Sequence, residues 1–138
     1  LEGVIVDVWH CDALGVYSGV SGDSGDFLRG YQQTDANGSA SFTTVYPGWY
    51  SGRAVHIHFK IRTDPDAAAG FEATSQLFFD DAFSQQVYST GVYATKGPQD
   101  VPNASDGIYQ QSQGLTVLNV VPDGDVLAAT FEIAVQTT

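Results

Sequence analysis

Two of the chain's three histidines, His56 and His58, stand two residues apart, in a run where Val55, Ile57, Phe59 and Ile61 alternate with His56, His58 and Lys60. Such alternation is the pattern of a half-buried strand, whose side chains point to opposite faces in turn. Both imidazoles therefore lie on one face, about 7 Å apart along the backbone, and are able to converge on one ion. A pair of imidazoles begins a metal site and does not complete it. The nearest carboxylates, Asp64 and Asp66, lie beyond the strand's end in a Pro-containing turn, which makes them poor further donors. Tyrosine is the alternative, since a phenol with a free pKa of about 10 loses its proton when a highly charged ferric ion coordinates it. Tyr17 in Gly15-Val16-Tyr17-Ser18 and Tyr50 in Pro47-Gly48-Trp49-Tyr50 both fall in loops, where functional side chains are displayed. Taken singly, the histidines also suit the solvent side of an edge strand, and each tyrosine a structural role. Arg53, three residues upstream of His56, with Trp49 and Tyr50 before it, makes a denser group of aromatic and basic residues than the outer face of a strand ordinarily carries. His10, after Trp9 at the end of an apolar strand, reads as a hydrogen-bonded structural histidine, and Trp9 and Trp49 read as packing residues.

These groups need a scaffold, and 138 residues with 43% hydrophobic and 12% aromatic content suffice for one domain with a core and not for two. Residues 1–9 alternate like a strand, and residues 13–26 form a long loop. The turn Asp35-Ala36-Asn37-Gly38 predicts a hairpin between residues 31–34 and 41–45. Residues 55–62 and 73–79 are strands. A helix of two turns follows Asp80-Asp81, and residues 91–114 make an extended surface connection. Residues 115–121 and 126–135 are the last strands, joined by Pro122-Asp123-Gly124-Asp125. The sum is an all-β protein, a β-sandwich with long loops and at most one short helix.

Sixteen acidic residues against five basic give a formal charge of -11, so a phosphate backbone or an anionic membrane would be repelled, and neither nucleic acid nor membrane is an expected partner. The lone cysteine, Cys11, excludes an internal disulfide and a thiolate zinc site. The chain has no methionine, even at position 1, and reads as a mature form or an excised domain; with its acidic, Gly/Ser/Thr-rich composition, the expectation is a secreted, extracellular protein.

Four stretches in one order carry a resemblance: Val8-Trp9-His10-Cys11-Asp12-Ala13-Leu14-Gly15-Val16-Tyr17-Ser18, Phe27-Leu28-Arg29-Gly30, Thr34-Asp35-Ala36-Asn37-Gly38, and Pro47-Gly48-Trp49-Tyr50-Ser51-Gly52-Arg53-Ala54-Val55-His56-Ile57-His58-Phe59. Together they resemble the intradiol ring-cleavage dioxygenase family, densely over the first half and loosely through Thr74-Ser75-Gln76-Leu77-Phe78-Phe79 and the final strands. The resemblance implies one mononuclear non-haem Fe(III) per chain, held by Tyr17, Tyr50, His56 and His58 with water or hydroxide completing the site. It implies that Tyr50 leaves the metal when substrate binds, that Arg53 stabilises negative charge on the ring, and that Gln76 stands near the iron. The implied substrates are a catechol and O2, and the implied product is a cis,cis-muconate.

Family catalytic domains carry more chain before the strand matching residues 1–9, including a helical dimerisation region in the intracellular enzymes. By that comparison residues 1–138 are a catalytic domain missing an upstream segment and are expected to form a monomer or weak oligomer; secreted relatives resemble the chain more closely, and some of them have an upstream cysteine that could pair with Cys11. Two other readings compete. A non-catalytic β-sandwich module would stack sugars or aromatics on Trp49, Tyr50 and Tyr17, and a cupin-like His-x-His enzyme would need a carboxylate or His10 as a further ligand.

Overall fold

Alternation of branched or aromatic residues with polar ones produces the four strands that matter to the site. The computed structural model describes residues 1–20, 23–64 and 70–136. In it, β1 (Ile5–Trp9), β2 (Arg29–Gln33), β3 (His56–Arg62) and β4 (Glu72–Phe78) form one antiparallel sheet in the order β2-β1-β3-β4. The protein is all-β, as expected. Val8, Ile57, Phe59, Ile61 and Leu77 share one face and pack with Val4, Val55, Phe79, Tyr88 and Leu118. Each of these side chains that is fully buried, as Phe59, Ile61 and Val55 are, stabilises the fold by about 1.5–3 kcal/mol. The opposite face carries a row drawn from four strands, because Trp9 pairs with both Arg29 and His58, and His58 pairs with Gln76. Among the described residues no helix is long and apolar enough to cross a membrane.

Helix α1 (Asp81–Val87) starts where expected, with the Asp80 carboxylate accepting from Phe83 N–H. A second helix, α2 (Gly107–Ser112), and 3-10 turns at Gly91–Thr95 and Asn103–Ser105 lie within the stretch expected to be an irregular connection. The expectation of at most one short helix is therefore corrected. The cause is Asp106, whose side chain accepts from the N–H groups of Ile108 and Tyr109 and so nucleates a turn that the surrounding glycines and prolines conceal.

Two strand expectations are also corrected. The Asp35 turn forms, with Asp35 Oδ1 accepting from Asn37 and Ser39 N–H and Gly38 at φ +77. The chain after it does not fold back as a strand; β2 pairs with β1 instead. The polar groups of residues 44–48 are engaged elsewhere: Thr44 by His10, the Tyr46 and Pro47 carbonyls by Tyr93 and Tyr88, and Gly48 N–H by Asp12. At the C-terminal end the long strands shrink to β5 (Val121–Asp123) and β6 (Val126–Ala128), a separate hairpin in which Pro122 supplies no N–H to extend the ladder. The flanking chain still covers the core: residues 116–118 run beside Phe78 through two backbone bonds of 2.8 Å, and Phe131 and Val135 pack on Phe59 and Ile61. Pro65 and Asp66 lie outside the described residues, as do Ser21 and Gly22 in the loop before Asp23.

Candidate metal centre

Strand β3 brings His56 and His58 to one face, and their surroundings fix each ring. His56 is buried, and its Nδ1 lies 2.7 Å from the Ala54 carbonyl. A carbonyl only accepts, so Nδ1 carries the proton and Nε2 presents a lone pair. That Nε2 lies 3.1 Å from His58 Nε2 and 3.2 Å from Tyr50 Oη. Trp9 stacks on the His58 ring, centroids 4.9 Å apart and planes within 3°, so Trp9 positions a site residue rather than merely filling the core. Tyr17 closes the group, with its ring edge-on to Tyr50 at 5.5 Å and to His58 at 6.1 Å. Its hydroxyl is buried and has no hydrogen-bond partner among the described residues.

Burial lowers both histidines to about 4, with Arg53 adding to it at each and His56 adding to it at His58, so both imidazoles are neutral at pH 7. Burial raises both phenols, which stay protonated until a cation displaces the proton. The donor set fits a hard trivalent ion. Two ligands each about 2.1 Å from one ion and roughly at right angles to each other are separated by about 3 Å, close to the spacings of His56 Nε2 from His58 and Tyr50. The orphaned Tyr17 hydroxyl lacks only such a partner. Among the described residues no group of three or more His, Cys, Asp or Glu side chains is assembled for a metal, so an ion here would take phenols as well as imidazoles. His10 is not available, because its ring nitrogens are engaged by Cys11 O and Thr44 Oγ1 at 2.7 Å each.

The tyrosines come from two loops that are fastened to each other. Asp12 shapes the first by accepting from Leu14 and Val16 N–H at 2.9 Å, and its carbonyl accepts from Gly48 N–H in the second. A Cβ at Gly48 would stand 2.5 Å from Ala13 O, and one at Gly15 would collide with Trp49 O. Lys96 spans the junction, donating to Leu14 O at 2.6 Å and Trp49 O at 2.5 Å while lying over the Trp49 ring. Cys11 is buried beneath, its thiol donating to Gly48 O and pushed up to about 11 by burial. Arg29 binds Ser18 Oγ and O and lies 5.9 Å from the Tyr17 ring centroid.

Arg53 and Gln76 are brought together beside the histidines. Arg53 Nη2 donates to Gln76 Oε1 at 2.6 Å, so the amide nitrogen of Gln76 faces His58 Nδ1 at 3.3 Å. The residue that sequence reasoning missed is Asp106, which receives Arg53 Nε at 2.7 Å with no side-chain exposure of its own. The available signal was an Asp ahead of Gly-Ile-Tyr-Gln-Gln-Ser, a helix start.

No protein-family model matches the chain. An intradiol ring-cleavage dioxygenase from Tetranychus urticae superposes with a TM-score of 0.81 at 31% identity, over 94% of this chain and 69% of that one. The dioxygenase domain of a dioxygenase carbohydrate-binding protein fusion from Streptomyces sp. SirexAA-E superposes with a TM-score of 0.66 at 29% identity, over 95% and 66% of the two chains. The chlorocatechol 1,2-dioxygenase of Pseudomonas putida is 32% identical over 100 residues, which are 58% of this chain and 36% of that protein. The chain thus spans little more than a third of the length of the curated relatives it matches.

Proposed function

Because the chain belongs to the intradiol ring-cleavage dioxygenase family, we propose that it cleaves catechol-type rings with O2 at one iron(III) ion held by Tyr17, Tyr50, His56 and His58. The observation that carries this reading is the convergence of two neutral imidazoles, one phenol within 3.2 Å of His56, and a second phenol whose buried oxygen has no partner. A ferric ion held there would supply Lewis acidity that acidifies the catechol hydroxyls, and the deprotonated, electron-rich ring would be open to O2 and to cleavage between the hydroxylated carbons, giving a cis,cis-muconate.

The remaining work falls to side chains. His56 keeps its Nδ1 proton on Ala54 O, which leaves Nε2 as the only donor atom it presents. The stacked Trp9 indole holds the His58 plane and excludes water from one side of it. Tyr50, whose phenol is raised by burial, would as a phenolate be a strong enough base to take the proton of one catechol hydroxyl. Arg53, with its guanidinium fixed between Asp106 and Gln76, offers positive charge where the ring becomes negative.

The test is the visible absorption of purified protein with iron quantified, before and after anaerobic addition of catechol. A red-brown protein with about one iron per chain, shifting to longer wavelength with catechol, and an H58A variant that loses most of both, is the expected result. Protein that stays colourless after iron reconstitution would overturn the assignment and favour a module that stacks aromatics or sugars on Trp49, Tyr50 and Tyr17.

A further inference from the structure

We propose that Asp106 is a positioning residue for this chemistry: it aims the Arg53 guanidinium at the reacting ring. The inference rests on the iron reading above. Asp106 is fully enclosed, and both of its oxygens accept only from N–H groups. Oδ2 receives Arg53 Nε at 2.7 Å and Ala54 N at 3.0 Å; Oδ1 receives Ile108 N at 2.9 Å, Tyr109 N at 3.1 Å and Arg53 Nη2 at 3.4 Å. Three of these donors are main-chain groups, from the residue two before His56 and from the first turn of α2. The carboxylate is therefore anchored by backbone from two elements and cannot follow a wandering arginine; the arginine must conform to it.

The held guanidinium has one further donor in use, Nη2 to Gln76 Oε1 at 2.6 Å, and this fixes which end of the amide faces His58. A polar line thus runs Asp106, Arg53, Gln76 and ends with the amide nitrogen facing His58 Nδ1. A second contact runs parallel to it: the Tyr109 ring of α2 meets Phe78 edge-on at 5.3 Å, and Phe78 lies 6.0 Å from His56. The arrangement demands a carboxylate. An asparagine would turn its amide N–H groups either on Arg53 Nε and Ala54 N or on the helix N–H groups, donor against donor.

The test uses iron-loaded full chain, comparing wild type, D106N, D106E and R53Q, with D106N and D106E each also made in the R53Q background. D106N is expected to bind the same iron per chain with an unchanged resting band, because the four donor residues are intact. Its kcat should fall about 100-fold with KM changed less than about threefold, and its spectrum after anaerobic catechol should differ from that of wild type. D106E, which keeps the charge but displaces the guanidinium by roughly a methylene, should show the same pattern more weakly. In the R53Q background either substitution should cost less than about a further twofold, because its effect passes through Arg53. A helix cap with no other role would leave kcat per iron-loaded chain unchanged, or lower it equally with and without Arg53, and either result overturns the proposal. If D106N does not fold, D106E with its R53Q double decides alone. Wild type without an iron band would remove the functional reading itself, whereas iron-loaded wild type beside a D106E variant of undiminished kcat removes only the role of Asp106.

Discussion

A phenol oxygen buried without a partner, as in Tyr17, costs a fold about 1–3 kcal/mol. Nothing in the packing asks for that oxygen, since phenylalanine would fill the same space. Y17F is therefore expected to raise the melting temperature of the metal-free protein by several degrees, while abolishing most of the iron uptake and colour. Calorimetry beside an iron titration checks it; a lower melting temperature with full iron binding would contradict both halves. Asp106 has its own signature. Burial would raise its carboxyl, but the hydrogen bonds from Arg53, Tyr109 and Ala54 outweigh burial and hold it at about 2. A carboxyl depressed in the folded state stabilises it above the unfolded pKa of about 4, and that contribution fades as pH falls toward 2. The difference in unfolding free energy between wild type and D106N should be constant above about pH 5 and shrink below pH 4; a difference that widens on acidification would refute the sign. That His56 and His58 share a face could be read from strand spacing, whereas Tyr17 and Tyr50 were joined to them as a donor set only through the family resemblance. The pairing of Asp106 with Arg53 could not be read, because the two stand 53 positions apart and a helix-start signal at Asp106 does not say which of the chain's arginines its carboxylate holds.

The strands β3 and β4 and helix α1 were legible because each states its own period or cap: alternation about His56 and His58, and Asp80 ahead of Phe83. The hairpin after Asn37-Gly38 was misread for the opposite reason. The turn is local and forms, but where the next segment goes is decided by Asp12, Tyr88 and Tyr93, which lie far away in sequence. The same segment carries Tyr50, so what obscured the fold is what builds the site. Replacing Gly48 by alanine drives a methyl group into the Ala13 carbonyl. The expected cost is about 1–3 kcal/mol of stability, together with weaker iron binding as the two loops part. Chemical denaturation and competition for iron with a chelator measure both; a G48A protein with unaltered iron affinity would mean that the loop junction does not set the tyrosine spacing.

With sixteen acidic residues to five basic, the folded molecule holds its negative charges closer together than the unfolded chain does. Sodium chloride raised from about 10 mM to about 500 mM shortens the screening length from roughly 30 Å to a few ångströms, so the melting temperature should climb; a fall would show that the ion pairs Arg62–Asp7 and Lys60–Glu72 outweigh the general repulsion. That the chain is one all-β body was legible from its punctuation by glycine and its short apolar runs. How the second layer forms was not, because residues 116–118 and 129–135 pack as extended chain beside or beneath the sheet with few ladder bonds of their own. The row Arg29, Trp9, His58, Gln76 takes one residue from each of four strands, and Asp106 closes it from beyond the last. On a ribosome, Tyr17, Tyr50, His56 and His58 all emerge long before the helix that steadies Arg53, so the aim of the guanidinium is the last part of the site to be set.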